Sequence, residues 1–335
     1  MGTSTRDASK EWRVWARITG PQLPLVDVKI GNAMVGPGPA GYRPVGPPSG
    51  PQLKPVADST YFTAASPALR VVSDCWVIVP GVRATRSDLA IRKAVAEEIV
   101  PLIAALSAGE RRNPHRVQVW GVDDGKQGSS FSEAVKIAYY AKEDLPAEKL
   151  AVAQARVASL HKNSKLAVAS EIFYRGVEYS DFAAGPLTSA SSILAFYQVL
   201  EACADVVPWM TPADYDEKSA AIAATLKKTL EGKALAKKKA KAIRASNDAL
   251  NRLDAKYTSL RIEHTASTFG LEKHWIERSR ELGKFRNSRL SHPSALPSPS
   301  EMNEWEAQNN EWSAYALAST ILAAAFHYVA EETTA

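Results

Sequence analysis

Across residues 11–19, Trp12, Val14, Ala16 and Ile18 alternate with Arg13, Trp15 and Arg17, the two-residue period of a half-buried strand. Val26, Val28 and Ile30 resume that period after a Gly20-Pro21…Pro24 turn, which predicts a hairpin. Residues 70–79 and 116–120 predict two further strands. Between them Ile91, Val95, Ile99, Leu102 and Leu106 recur at helical spacing. That predicts a helix over 88–108, capped by Thr85 or Ser87, stopped by Gly109 and kinked at Pro101. Residues 36–55 hold seven prolines and five glycines, so the chain reads there as a long loop. Residues 123–130 read as a polar loop. It is not a phosphate-binding P-loop, because Gly121 to Lys126 is one residue short and Gln127 stands where Ser or Thr is needed.

From Pro146 onward the strand-like alternation disappears and alanine becomes abundant. Helices are predicted over 146–160, 164–180, 188–207, 213 to about 264, 271–290 and 301–330. Gly185-Pro186, Pro208, Gly270 and the Pro-rich 293–299 segment punctuate them. No internal repeat is visible. The fold class is therefore an α+β N-terminal domain, β-rich and spanning 1–150, followed by an all-α helical domain over 165–335.

Composition narrows the class further. With 335 residues, 45% hydrophobic and 23% charged, the chain is ordinary globular material. Cys75 and Cys203 stand far apart and alone, which argues against a disulfide framework and a cysteine zinc site. No structural metal and no cofactor are expected. The start of the chain has no apolar core of a secretory signal, and Met1-Gly2 resembles a myristoylation site without a second anchor. The apolar run from Tyr315 to Ala330 is interrupted by Ser319, Thr320 and His327 and falls short of a membrane span. A reduced, cytoplasmic protein without membrane contact is expected. The net charge of +5 is concentrated: eight Lys or Arg residues stand against Glu231 between Lys227 and Arg244. Lys237, Lys238, Lys239 and Lys241 are either RNA contacts or a solvated helix face, and Arg289 is a further candidate RNA contact.

The common catalytic templates are missing: no G-x-S-x-G, H-E-x-x-H, G-x-G-x-x-G or C-x-x-C occurs. One segment joins a guanidinium, an amide and an imidazole, namely Arg286-Asn287 followed by Arg289 and by His292-Pro293. Pro293 biases His292 away from helix, so the helix should end there. On a straight helix Arg286 and His292 lie about 240° apart and do not share a face. They converge if the turn unwinds near His292, or if a second copy of the chain completes the site.

Arg286-Asn287 with His292 after five intervening residues resembles the R-x(4–6)-H signature of the HEPN superfamily. A second resemblance lies upstream, where residues 190–206, with Phe196-Tyr197 and Glu201, are similar to the opening helix of ApeA-like HEPN domains. The likeness spans roughly 165–335. It implies a HEPN-type helical bundle, a homodimer with the active cleft between protomers, and RNA as partner. It also implies metal-independent endoribonuclease chemistry, in which the RNA 2′-OH attacks the adjacent phosphate to leave a 2′,3′-cyclic phosphate and a 5′-OH. His292 would transfer protons, Arg286 would meet the charge growing on the phosphorane, and Asn287 would orient His292 or bond a phosphate. Glu201 would support Arg286. DNA lacks the required 2′-OH. Such architectures resemble bacterial antiviral defence proteins whose N-terminal domain senses a signal, with a protein trigger or inhibitor as a further partner.

Plainer assignments stay open beside these. His292 suits a helix C-terminus, where the dipole favours a cation. Arg286 has Glu277 and Glu281 within reach along its own helix, and Glu201 in its apolar stripe suits a structural partner of Arg286. Trp305, Trp312, Tyr315, Ile321, Leu322 and Phe326 read as core and dimer contacts. A non-catalytic HEPN-type scaffold, like the MauJ group, is the alternative from another class. A third is a nucleic-acid binder working through 227–244.

Overall fold

The computed structural model describes residues 9–37, 74–111, 114–124, 128–132, 144–181, 186–209, 214–231, 235–254, 257–290 and 313–332. The N-terminal part is an antiparallel sheet and the C-terminal part is mostly helical. Six strands, β1 (Lys10–Thr19), β2 (Val28–Ile30), β3 (Ala33–Gly36), β4 (Asp74–Ala84), β5 (Arg116–Asp123) and β6 (Gly128–Ser132), run in the order β2-β3-β4-β1-β5-β6. β1 is central, pairing with β4 on one side and β5 on the other. Its period works as the alternation demands: Val14, Ala16 and Ile18 enter the core beside Val77, Val79 and Val122. On the opposite face, Trp15 meets Trp76 edge-on at 5.6 Å.

Three expectations for this half need correction. The hairpin between 11–19 and 26–30 does not form; β2 pairs instead with β3 across Gly31-Asn32. Gly31 supplies the left-handed φ of 59° that a two-residue turn needs. Glu98 then holds the turn, accepting from the Asn32 amide nitrogens at 3.3 and 2.7 Å. The segment after β1 is diverted because Leu23 is buried and its carbonyl accepts from Leu145 N–H at 3.2 Å. The polar loop expected over 123–130 is shorter, since Gly128–Ser132 is a strand paired with β5. Residues 125–127, 70–73 and 38–55 lie outside the described residues. The first helix has neither expected cap: Arg86 is the N-cap and makes no side-chain capping bond.

That helix comprises α1 (Ser87–Ala94), a π turn (Val95–Ile99) and α2 (Val100–Ser107). Just before Pro101, where a kink is expected, the helix takes a π turn, with Val100 N–H bonding Val95 O five residues back. Then follow α3 (Ala147–Leu160), α4 (Ser164–Asp181), α5 (Pro186–Ala204), α6 (Tyr215–Glu231), α7 (Ala236–Leu253), α8 (Thr258–Thr268) and α9 (Lys273–Phe285). α9 continues as a second π turn, Arg286–Leu290, and α10 (Ala314–Glu332) ends the fold. The long helix expected from 213 to 264 is three helices. Leu235 is extended (φ −57°, ψ 146°) and Asp254 leaves the helical region at ψ 1°, so α7 turns back along α6. Tyr215 Oη donates to Asp254 Oδ1 at 2.6 Å and closes the base of that hairpin.

Two apolar clusters carry the stability. One fills the space between the sheet and α1–α3, with Tyr174 of α4. The other is built around α5, which is apolar on almost every side and lies against α4, α8 and α10. Phe173, Phe196 and Tyr315 form a ring triad with centroids 5.6 to 5.9 Å apart. Ile321, Leu322 and Phe326 are core residues, as their pattern predicts, while Trp305 and Trp312 lie outside the described residues. No described helix is long and apolar enough to cross a membrane.

Candidate active site

Tyr197, Glu201 and Asp205 follow one another at intervals of four along α5 and its C-terminal turn, so they share a face. α9 crosses that face. Its Gly283 approaches the Tyr197 ring so closely that a Cβ there would lie 3.3 Å from the Tyr197 hydroxyl. Three residues on, Arg286 opens the π turn over the same face. Its guanidinium carbon stands 5.4 Å from the Tyr197 ring centre, and Nη2 reaches to 4.0 Å from Glu201 Oε1. Nη1 donates to Asn287 Oδ1 at 2.9 Å. The Arg286 side chain keeps 36% of its surface exposed, so the cation is oriented from below and open from above.

Electrostatics at the site follow from partial burial. Burial pushes the Glu201 carboxyl up from its ordinary value; Arg286 pulls it down and Asp205 pushes it up again. Burial also raises the Tyr197 hydroxyl, with Glu201 adding to the rise and Arg286 opposing it. Asp205 is itself paired with Arg261 of α8, and Arg280 of α9 grips Glu263 with two bonds at 2.6 Å. These pairs fasten α8 and α9 around the end of α5.

Arg286, Asn287 and Glu201 come together. Arg286 does not use Glu277 or Glu281, which pair with Lys273 and Arg278. His292 lies outside the described residues, as does the side chain of Arg289. Lys237, Lys238 and Lys241 are exposed on α7, away from α5, and Lys239 donates to Leu230 O at 2.6 Å, closing the end of α6. Tyr197 is the residue that sequence reasoning passed over as a partner of Arg286. Its spacing of four from Glu201 was the available signal. Among the described residues no group of three or more His, Cys, Asp and Glu is placed to hold a metal ion.

A second polar cluster lies at the junction of sheet and helices, lining a cleft of about 340 Å³. His115 is buried; Nε2 lies 3.0 Å from Gln22 O, Nδ1 lies 3.3 Å from Ser107 Oγ, and its own N–H donates to that Oγ at 2.9 Å. Nε2 therefore carries the proton and donates, while Nδ1 accepts. Burial lowers its pKa, against the opposing pull of the Gln22 carbonyl. Arg156 donates to Ala105 O and Ala108 O, both at 2.8 Å, capping α2. Lys149 bridges Gln22 and Glu110 at 2.8 and 3.1 Å. The charged groups here are engaged in holding the fold. Cys203 is buried and its thiol is pushed far up, so it stays protonated.

No family model matches the chain, and comparison with curated proteins and with solved structures gives no match.

Proposed function

We propose that this protein is a metal-independent endoribonuclease of the HEPN type, acting as a homodimer. Arg286 carries the reading. It is a guanidinium held on an aromatic face, turned by a π segment and left open to an anionic substrate. Single π turns inside helices occur often at functional sites, where the wider turn re-aims side chains. In the reaction the RNA 2′-OH loses its proton as its oxygen attacks the adjacent phosphorus. The P–O5′ bond then breaks, and the leaving 5′-oxygen takes up a proton. His292 exchanges these protons, and Arg286 stabilises the charge that grows on the phosphorane oxygens. Asn287 fixes the guanidinium through its amide oxygen. The sheet half would serve as the sensing or regulatory part, in a setting such as antiviral defence.

A scaffold reading uses the same contacts differently, since Tyr197, Glu201 and Arg286 also pin α9 against α5. One assay separates them. End-labelled tRNA and mixed RNA are incubated with the protein in EDTA, with and without cell or phage extract, beside Arg286→Ala and His292→Ala. Cyclic-phosphate ends that both substitutions abolish support the nuclease. An inert wild type under both conditions leaves the scaffold.

A further inference from the structure

The α6–α7 hairpin is built unlike the rest of the helical half. α6 buries no residue, α7 buries only Ser246, and the extensive packing of each is on the other. With 17 residues, α6 makes an arm about 25 Å long. Charge is sorted along it. Near the base, acids answer the cations: Asp214 pairs with Lys218 at 2.6 Å and Asp248 with Arg252 at 3.1 Å. Asp248 and Asp254 also accept from Tyr257 and Tyr215, each at 2.6 Å. Towards the tip the acids run out. Only Glu231 remains, 3.9 Å from Lys227, while Lys228, Lys237, Lys238, Lys241 and Arg244 have no carboxylate partner among the described residues.

We infer that this arm binds the phosphate backbone of a base-paired RNA stem. Lys237, Lys241 and Arg244 stand at i, i+4 and i+7 on one face of α7, a stripe about 10 Å long. That length matches roughly three successive phosphates of one strand. Single-stranded RNA is gripped by stacking bases on aromatic rings, and residues 227–244 contain no Phe, Tyr, Trp or His. A double helix hides its bases and offers phosphates at regular spacing, which is what bare cations on a rigid rod recognise. An anionic membrane is the poorer match: insertion needs a broad apolar face, and the arm presents mainly alanine, with Leu230, Leu235 and Ile243 as its exposed large apolar side chains. The choice of RNA over DNA rests on the nuclease reading; the phosphate contact does not.

The test uses the full chain carrying His292→Ala, in EDTA, so that binding is read without cleavage. Fluorescence anisotropy follows a labelled RNA hairpin and an oligouridylate of equal length over a salt series. The triple variant Lys237→Gln/Lys241→Gln/Arg244→Gln is compared at matched helicity by circular dichroism. The hairpin should bind more tightly than the oligouridylate. The triple variant should lose roughly tenfold or more of that affinity and flatten the log–log salt slope by about three. Equal hairpin binding by the triple variant overturns the proposal, as does preference for oligouridylate. Binding confined to phosphatidylserine vesicles overturns it too. If the arm binds as stated while the wild type never cleaves, the nuclease reading falls alone. If the wild type cleaves a hairpin substrate with a KM that the triple variant leaves unchanged, the arm falls alone.

Discussion

The Arg286 guanidinium lies against the face of the Tyr197 ring, 5.4 Å from its centre, with a Glu201 carboxylate oxygen 4.0 Å away. The aromatic face orients the cation without neutralising it, which a carboxylate in full contact would do. Removing Arg286 should therefore strike activity harder than folding. Arg286→Ala should lower kcat about 10²–10³-fold, the scale of losing one preorganised donor to a transition-state anion. Arg286→Lys keeps the charge but loses the planar fork, and should recover only part of that loss. Tyr197→Phe should be nearly silent, whereas Tyr197→Leu should reduce kcat through a misaimed guanidinium. Single-turnover cleavage of a labelled RNA at fixed pH measures all four. An Arg286→Ala protein that cleaves normally would end the catalytic assignment.

Glu201 makes a counterintuitive prediction about stability. Its carboxyl titrates higher in the folded protein than in the unfolded chain, with burial the largest cause. Between the two values the folded state holds the extra proton, so stability falls as pH rises through the folded value. At neutral pH the charged carboxylate is thus a small net cost despite Arg286 nearby. Glu201→Gln should melt at the same or a slightly higher temperature than wild type at pH 7, with the advantage vanishing below pH about 4. Thermal unfolding across pH 4–8 decides it; a variant clearly less stable at pH 7 would show that the Arg286 pairing dominates.

How much of this was legible in the sequence differs by kind of contact. Local periodicity found β1 and most helices of the C-terminal half, because burial on one face writes itself into neighbouring residues. Glu201 and Arg286 were legible as a pair of charges near apolar stripes. The π turn at Arg286 was not, since one widened turn changes no residue preference strongly. The long helix was misread because residues 213–264 contain no proline and only Gly232 as an interior breaker. The break falls between Glu231 and the extended Leu235, and the bond that closes the base of the hairpin, Tyr215 to Asp254, is made across 39 residues. The strand order, too, depends on non-local pairings such as β1 with β4, where Ala16 lies opposite Val77.

Helix crossing imposes a sharper limit at Gly176 than at Gly283. A Cβ on Gly176 would lie 2.6 Å from Phe196 Cε1, while one on Gly283 would meet only the Tyr197 ring edge and hydroxyl, no closer than 3.3 Å. Gly176→Ala should therefore cost about 1–3 kcal/mol by forcing α4 off α5 in the core. Gly283→Ala should cost less than 1 kcal/mol in folding, offset in part by better helix propensity, yet lower activity by moving Arg286. Denaturant unfolding beside the cleavage assay tests both, and a stable Gly176→Ala protein would refute the stated crossing.

His115 should make the protein acid-sensitive. Burial holds its folded pKa below the ordinary value near 6.5, so below that pH the unfolded chain takes up a proton that the folded chain refuses. Stability is full above pH about 6.5 and declines as pH falls towards the folded value. His115→Gln, which keeps one donor and one acceptor, should flatten that decline while costing about 1–3 kcal/mol for imperfect bonding to Gln22 O and Ser107 Oγ. Melting temperatures from pH 5 to 8 read the effect, and parallel curves for the two proteins would place the acid sensitivity elsewhere.

Ser319 clasps the terminal helix to the end of α2. Its hydroxyl contacts Ser107 O at 3.0 Å and Glu110 O at 2.9 Å, and it accepts from Gly109 N–H at 2.9 Å. All three partners lie at or just past the C-terminal end of α2, where Gly109 N–H also donates to Ser319 O at 3.1 Å and Glu110 N–H to Ser107 O at 3.0 Å. Ser107 also accepts, through its hydroxyl, the N–H of His115, so the clasp and the His115 network share one residue. Ser319→Ala removes the hydroxyl's bonds, while Gly109 N–H keeps Ser319 O and Ser107 O keeps Glu110 N–H, so the loss should be about 0.5–1.5 kcal/mol. Because Ser319 and His115 both act on Ser107, the double variant with His115→Gln should be less destabilised than the sum of the two singles. Additive losses in a double-mutant cycle would mean that the two halves are held by independent contacts. A shortfall of about 0.5 kcal/mol or more would show that His115 and Ser319 are energetically coupled through Ser107.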